Sequence, residues 1–408
     1  MYTDQLIIND PIYGFMKIPR GLLCEIIRHP YFQRLERIRQ LGMAGIVYPG
    51  ATHTRKQHSI GTCHLAGEAF RTLAEKGVFV FESEIEATEA ALLMHDLGHS
   101  PYSHVLEGIL LPDMSHEEIS LLMMEQINES LRGDLTLAIK IFKDEYPKHF
   151  LHEMICSQLD MDRLDYLCRD SFYTGVREGA IGVERLIKML HVADDHLAIE
   201  SKGIYTVENY LMARRLMYWQ VYLHKTAVAA EEVLRLALLR AKKLMMNGTK
   251  LFASPALSHF LTQNVTKNSF CNNPIHLEKY AQLDDSDILC SLKAWQYADD
   301  KILSLLSGNF INRRLLKVEL CSGKVDVDLI ERLKNETATS LGISISDADY
   351  FVRTIAVKKE MYSSTGKGIN IIGPDGIVHD VSTISNIVHA DSSDYVEEKF
   401  YLLKYRLD

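Results

Sequence analysis

Seven of the 17 histidines (His53, His58, His64, His95, His99, His104 and His116) fall within less than a sixth of the 408-residue chain. Clustering on that scale marks a site, and it constrains the fold, because segments far apart along the chain must deliver their side chains to one point. The ordinary reading of a single histidine is a surface or hydrogen-bonded core residue, and it is the one adopted for His53 and His64. His58, the adjacent pair His95 and Asp96, and Asp162 read differently. Two imidazoles and two carboxylates make a mixed nitrogen and oxygen donor set, suited to Mn²⁺, Fe²⁺, Ni²⁺ or Zn²⁺ better than to Ca²⁺.

The periodicities place these residues on helices. Ile85, Ala87, Ala91, Leu92 and Met94 predict a buried helix over 84–96 with Ser83 and Glu86 as a capping box, delivering His95 and Asp96 at its end. Gly98 and Pro101 then break it, so that His99 and His104 lie in an irregular segment. Between residues 151 and 169, Ile155, Leu159, Asp162 and Tyr166 recur on one helical face, and Asp162, Tyr166 and Asp170 form a row. Residues 209–246 read as one or two long helices, and the first fifty as turn, helix and loop, the helix running from Phe32 to Leu41. After Asn247 the character changes, with strands expected at 315–320, 351–357 and 400–405 and a hairpin at 369–381 around Pro374-Asp375-Gly376. The expected architecture is mainly α: a helical core over 1–250 and a smaller α+β lobe over 251–408.

Composition narrows the function. Hydrophobic residues are 47% and charged residues 24%, the balance of a globular protein. No apolar run reaches the length of a membrane span, and no leader-like start is present, so a cytoplasmic protein is expected. Seven cysteines without CxxC spacing point to neither disulfides nor a zinc ribbon. A formal charge of −9 argues against general nucleic-acid binding and leaves room for a local basic pocket.

Around the candidate ligands run Arg55-Lys56-Gln57-His58-Ser59-Ile60-Gly61, His95-Asp96-Leu97-Gly98-His99-Ser100-Pro101-Tyr102-Ser103-His104 and Asp162-Arg163-Leu164-Asp165-Tyr166. With Ile8-Asn9-Asp10-Pro11, Phe32-Gln33-Arg34-Leu35, Gln40-Leu41-Gly42, Pro49-Gly50-Ala51 and Tyr222-Leu223-His224-Lys225, these segments resemble the HD-domain phosphohydrolases, and among them the deoxynucleoside triphosphate triphosphohydrolases. The resemblance covers somewhat more than half the chain and implies an all-helical HD-domain core. It implies that His58, His95, Asp96 and Asp162 hold one divalent metal ion (Mn, Fe, Ni, Zn or Mg). It also implies that His116 and Glu117 form a catalytic pair, with His99, His104 and Glu107 beside them. Arg55 matches a phosphate-contacting arginine, and Arg163 lies in the same block as the last ligand. Tyr166 and Asp170 match residues that hold the deoxyribose, Gln40 and Leu41 residues beside sugar and base, and Tyr222, His224 and Lys225 residues lining the pocket.

The chemistry implied is attack at the α-phosphorus, releasing a deoxynucleoside and tripolyphosphate, with a histidine protonating the 5′ oxygen or activating water. A nucleotide substrate, a nucleotide effector and a homo-oligomer, dimer or tetramer, are the expected partners. Arg28 and Glu36 reverse the charges that the vertebrate SAM-and-HD-domain enzyme uses to bind its activating guanine nucleotide, so that effector site is expected to be absent or altered. Two rivals stand: another HD-type phosphoester hydrolase, such as a nucleotide monophosphatase or a phosphodiesterase, and a nucleotide-binding regulatory protein with slow or no turnover. Asp165 and Arg169 read as an i,i+4 surface ion pair, and Arg214 and Arg215 as structural.

Overall fold

Leu6 and Ile8 face Met16 and Ile18 in period two, and the N-terminal segment forms a hairpin where a turn alone is expected from sequence. Strands β1 (Gln5–Asp10) and β2 (Gly14–Pro19) pair antiparallel, and Asp10 Oδ1 closes the turn by accepting from the amides of Ile12 (2.9 Å) and Tyr13 (3.1 Å). The computed structural model describes residues 5–102, 105–106, 108–360, 362, 368–388 and 396–406. In place of a helix from Phe32 to Leu41 come α1 (Leu22–Arg28), α2 (Pro30–Arg34) and two 3-10 turns, Leu35–Arg37 and Gly42–Ile46. Pro30 disfavours helical backbone at His29, which is extended (ψ 138°) and breaks the segment there.

The core is built from α3 (Arg55–Glu75), α4 (Glu82–Met94), α5 (His116–Ser130), α6 (Thr136–Phe142), α7 (His149–Glu153), α8 (Met161–Thr174), α9 (Val183–Met189), α10 (Ile204–Met217) and α11 (Lys225–Met246). Helix α4 starts earlier than the predicted Ser83 and Glu86 box: Phe81 is its cap residue, and Glu84 accepts from the Phe81 amide at 2.8 Å. Glu84 is held inward by Tyr146 and Lys148, both at 2.6 Å, and these tertiary partners select the start. The single helical stripe expected over 151–169 is also corrected. The chain leaves α7 and restarts at Asp160, whose carboxylate caps α8 through the Arg163 amide at 2.6 Å. Asp162, Tyr166 and Asp170 do share α8. The long stretch over 209–246 resolves as α10 and α11, joined through a π-helical turn at Tyr218–Tyr222.

Helices continue to Ile311, and strands then alternate with a helix over Val327–Leu341 and a short one over Val381–Ile384. The expected strands appear as β5 (Lys317–Cys321), β6 (Arg353–Glu360), β7 (Asn370–Ile372), β8 (Val378–Asp380) and β9 (Val396–Lys404), counted after a hairpin of β3 (Leu190–Ala193) and β4 (His196–Glu200) that was not foreseen. Asp194 and Asp195, at φ 50° and 65°, make its turn, the conformation a two-residue hairpin needs. β4 pairs in parallel with β7, so one four-stranded sheet, β3-β4-β7-β8, ties the segment after α9 to the C-terminal region. A second sheet has the order β5-β9-β6. No helix among the described residues is long and apolar enough to cross a membrane.

Helices α3 and α4 pack against each other, and their alanines Ala66, Ala69, Ala87, Ala90 and Ala91 are fully or nearly fully buried. Glu89 lies in this contact, and burial together with Glu86 pushes its carboxyl up to about 7. The folded state therefore binds that proton more tightly than the unfolded chain, and stability falls as pH rises from the ordinary glutamate range through 7. Glu89→Gln is expected to melt with the wild type at pH 4 and to be more stable at pH 8, by on the order of 2–3 kcal/mol; equal melting at both pH values would contradict the buried placement.

Candidate active site

Thr54 precedes α3, with its amide donating to Gln57 Oε1 at 2.8 Å, and this start points Arg55 and His58 from the first turn toward the ends of α4 and α8. The turn after α4 carries His95 and Asp96 and is pinned from several sides. Ser120 Oγ donates to His95 O (2.7 Å) and accepts from Gly98 N (2.8 Å), and Tyr280 Oη donates to Gly98 O (2.8 Å). A Cβ on Gly98 would lie 2.1 Å from His116 O and 2.4 Å from Ser120 N, so only glycine lets this turn meet α5. Asp162 stands in the first turn of α8.

These elements bring His58, His95 and Asp162 together, and one ligand atom of each lies within 4.8 Å of the others, the one such group among the described residues. His58 Nε2 is 2.9 Å and His95 Nε2 3.5 Å from Asp162 Oδ1. His95 Nδ1 donates to Leu92 O at 2.6 Å, which leaves Nε2 buried, without a hydrogen bond and turned into the cluster. Burial would lower His58, but hydrogen bonds to Asp162 and Asp165 outweigh it and lift the imidazole to about 10. The orphaned nitrogen of His95 and the mixed nitrogen and oxygen donors fit a divalent metal ion. Asp96 stands beside the cluster, 3.4 Å from His95 Nε2 and 3.9 Å from His58 Nε2. Burial would raise its carboxyl, but Arg55, donating at 2.6 Å, and His99 hold it well below the usual carboxylate range.

From Asp96 a line of side chains leads outward. His99 Nδ1 is 3.0 Å from Asp96 Oδ1, and its ring stacks on His116 with centroids 4.0 Å apart. Burial and the Arg55 charge pull His99 down to about 3, so it is neutral at working pH. His116 opens α5 and its Nε2 lies 3.3 Å from Glu117 Oε1. His104 and Glu107, the other two expected catalytic residues, lie outside the described residues.

On the opposite side, Tyr166 lies between His58 and Tyr222, with ring centroids 6.5 and 6.2 Å away. Tyr222 Oη donates to Asp170 Oδ2 at 2.8 Å, and His53 Nε2 meets Asp170 Oδ1 at 2.7 Å. His53, read as an ordinary core histidine, is buried against this carboxylate and stacks on Tyr173. Gln40 Oε1 is buried without a hydrogen bond, and Leu41 is half-buried beside it. His224 caps α11 through the Thr226 amide (3.2 Å), and Lys225 is exposed at the start of that helix. Arg163 pairs with the buried Asp160. Arg214, expected to be merely structural, is buried, with NH1 donating to Gln158 Oε1 (3.2 Å) and Nε without a partner.

The largest correction concerns Asp165 and Arg169. Neither side chain is exposed at all, and the pair is not a surface feature. His58 Nδ1 donates to Asp165 Oδ2 at 2.7 Å, and Arg169 donates to both Asp165 oxygens at 2.9 Å and to Asp10 Oδ2 at 2.8 Å. A signal was present in the sequence: Gly61 lies one turn beyond His58 on α3, and a Cβ there would meet Asp165 Oδ1 at 2.0 Å.

Residues 55–170 match the HD domain family, and residues 181–254 its HD associated region. The chain is 34% identical over 322 residues to the uncharacterized protein YwfO of Bacillus subtilis, covering 77% of this chain and 72% of that protein. It is 30% identical over 279 residues to human deoxynucleoside triphosphate triphosphohydrolase SAMHD1, covering 58% of this chain and 44% of the human protein, less than half its length. The crystal structure of a phosphohydrolase from Bacteroides thetaiotaomicron superposes with a TM-score of 0.95 at 53% identity, over 99% of this chain and 100% of that one.

Proposed function

We propose that this chain, which belongs to the HD-domain phosphohydrolases, hydrolyses deoxynucleoside triphosphates to deoxynucleosides and tripolyphosphate. The observation that carries the reading is a juxtaposition: a His-His-Asp cluster fit for a metal lies one aromatic ring, Tyr166, away from a buried carboxylate, Asp170, held by Tyr222 and His53.

His58, His95, Asp162 and Asp96 would hold the ion, which when bound polarises a phosphoryl oxygen and lowers the pKa of water. Arg55, oriented by Asp96, meets a phosphate oxygen at the reacting centre, and the half-buried Arg163 and the buried Arg214 offset charge on the remaining phosphates. Water attacks the α-phosphorus and the bond to the 5′ oxygen breaks. His116, half-exposed, stacked on a neutral His99 and oriented by Glu117, gives the leaving 5′ oxygen its proton or takes one from water. Each oxygen of Asp170 keeps a lone pair after its bonds to Tyr222 and His53, so the carboxylate can accept a 3′-hydroxyl, while the Tyr166 ring closes the space a 2′-hydroxyl would need. Gln40, with a buried oxygen unused, and Leu41 suit the sugar and base, and His224 with Lys225 the outer pocket.

Purified protein incubated with each dNTP and NTP and Mn²⁺ or Mg²⁺ is expected to release deoxynucleoside and tripolyphosphate from the deoxy series. Monophosphate or orthophosphate products would instead identify another phosphoester hydrolase of this family. No turnover, even with mixed dNTPs and GTP as effectors, would leave a nucleotide-responsive regulatory protein. The same material, sized in solution with and without nucleotide, tests the expected homo-oligomer.

A further inference from the structure

The buried ion pair behind His58 does not stop at Arg169. Its third partner, Asp10, belongs to the N-terminal hairpin and is 5% exposed. The two Asp10 oxygens have separate duties: Oδ2 accepts from Arg169 NH1 at 2.8 Å, and Oδ1 accepts the amides of Ile12 and Tyr13 that close the hairpin turn. Tyr13 completes the contact, its ring centroid 5.6 Å from the Arg169 guanidinium carbon. The hairpin turn and the imidazole of His58 are thus two ends of one continuous chain, Ile12 and Tyr13 amides, Asp10, Arg169, Asp165, His58. Helix α3 leaves space for it with Gly61, where a Cβ would also fall 2.5 Å from Arg169 NH2.

We propose that Asp10 and Arg169 are positioning residues for the metal ligand His58, so that the N-terminal hairpin and the metal site are energetically coupled. The physical argument starts at Asp165. A carboxylate that accepts Nδ1–H fixes the imidazole tautomer and orientation and strengthens Nε2 as a donor to a metal. How strongly Asp165 does so depends on how much of the guanidinium charge it must share. With Asp10 in place, Arg169 divides its charge between two carboxylates. With Asp10 neutral, the whole charge falls on Asp165, which then holds the imidazole N–H less strongly. The coupling is reciprocal: whatever factor Asp10 contributes to metal affinity, the metal returns to the hairpin.

The inference rests on His58 being a metal ligand, and its tests read metal binding and hairpin dynamics with no nucleotide present. Asp10→Asn can keep the oxygen that closes the turn, while an amide NH2 replaces the charged acceptor of Arg169 NH1, so the charge and that hydrogen bond are lost together. Titrated with Mn²⁺ alone, Asp10→Asn protein is expected to bind about threefold to tenfold more weakly than wild type, less than a direct partner of the ligand because Asp10 acts through Arg169, and Asp165→Asn about 10–100-fold more weakly. An Asp10→Asn affinity equal to wild type, with or without a lower melting temperature, would overturn the coupling and leave Asp10 as a turn residue. Wild-type protein supplies the second readout: Mn²⁺ is expected to slow hydrogen exchange at the amides of Ile12 and Tyr13, and unchanged exchange overturns the proposal even if the variant does not fold. Absence of Mn²⁺ binding to wild type would remove the metal-site reading and this inference together, whereas Mn²⁺ binding that ignores Asp10 removes this inference alone.

Discussion

Asp162→Ala is expected to lose its bound divalent metal and, with it, three or more decades of turnover, about 4 kcal/mol or more of transition-state stabilisation. The size follows from the place of this carboxylate. A single oxygen of it, Oδ1, lies close to both imidazole nitrogens of the cluster, 2.9 Å from His58 and 3.5 Å from His95. Burial would raise its carboxyl, but the two histidines hold it far below the usual range. Its loss also withdraws the charge that makes a cation favourable beside His58. The fold is expected to survive, because Asp160 and not Asp162 caps α8, and the Asp162 side chain is 27% exposed. Metal content by elemental analysis, set beside thermal melting and product release, separates the two effects. A variant that keeps its metal would remove Asp162 from the ligand set.

Arg169→Met is expected to cost about 3–5 kcal/mol of folding stability, read as a shift of the urea midpoint. The guanidinium is wholly buried and donates to Asp165 and Asp10, so its removal strands two carboxylates away from solvent. The pair that the i,i+4 spacing suggests on a surface would cost less than about 1 kcal/mol, and a measured loss of that size would refute the buried arrangement. Asp10→Asn added to Arg169→Met is expected to restore part of the loss, because it neutralises one of the two stranded charges.

Helix α4 and the pair α10 and α11 were legible because apolar side chains recur at helical spacing whatever covers them. The hairpin of β7 and β8 was legible from Pro374-Asp375-Gly376, a turn whose conformation those residues favour by themselves. The break before α8 was not, since Ile155 and Leu159 continue the periodicity of Asp162 and Tyr166 although Asp160 starts a new helix. Neither was the hairpin of β3 and β4, where Asp194 and Asp195 take positive φ without a glycine to announce it. At the site, the clustering of histidines marked His58 and His95, and the order of the donors along the chain together with the family resemblance marked Asp162. The partners of His53 and Arg214, the Asp170 carboxylate and the Gln158 amide oxygen, are not legible in sequence, because a histidine or arginine looks the same there whether it meets water or a buried acceptor.

What the sequence by itself determined is the chemistry on offer: which donors exist, which helices carry them, and that Asp162, Tyr166 and Asp170 stand in one row on α8. Those are local properties, set by side-chain type and by a backbone period of 3.6 residues. Only the tertiary structure decided that Asp165, Arg169 and Asp10 form the support behind His58. Burial and charge pairing arise where β1, α3 and α8 meet, elements far apart along the chain, and the strength of a charge pair is set by the water excluded there, a quantity no single segment contains.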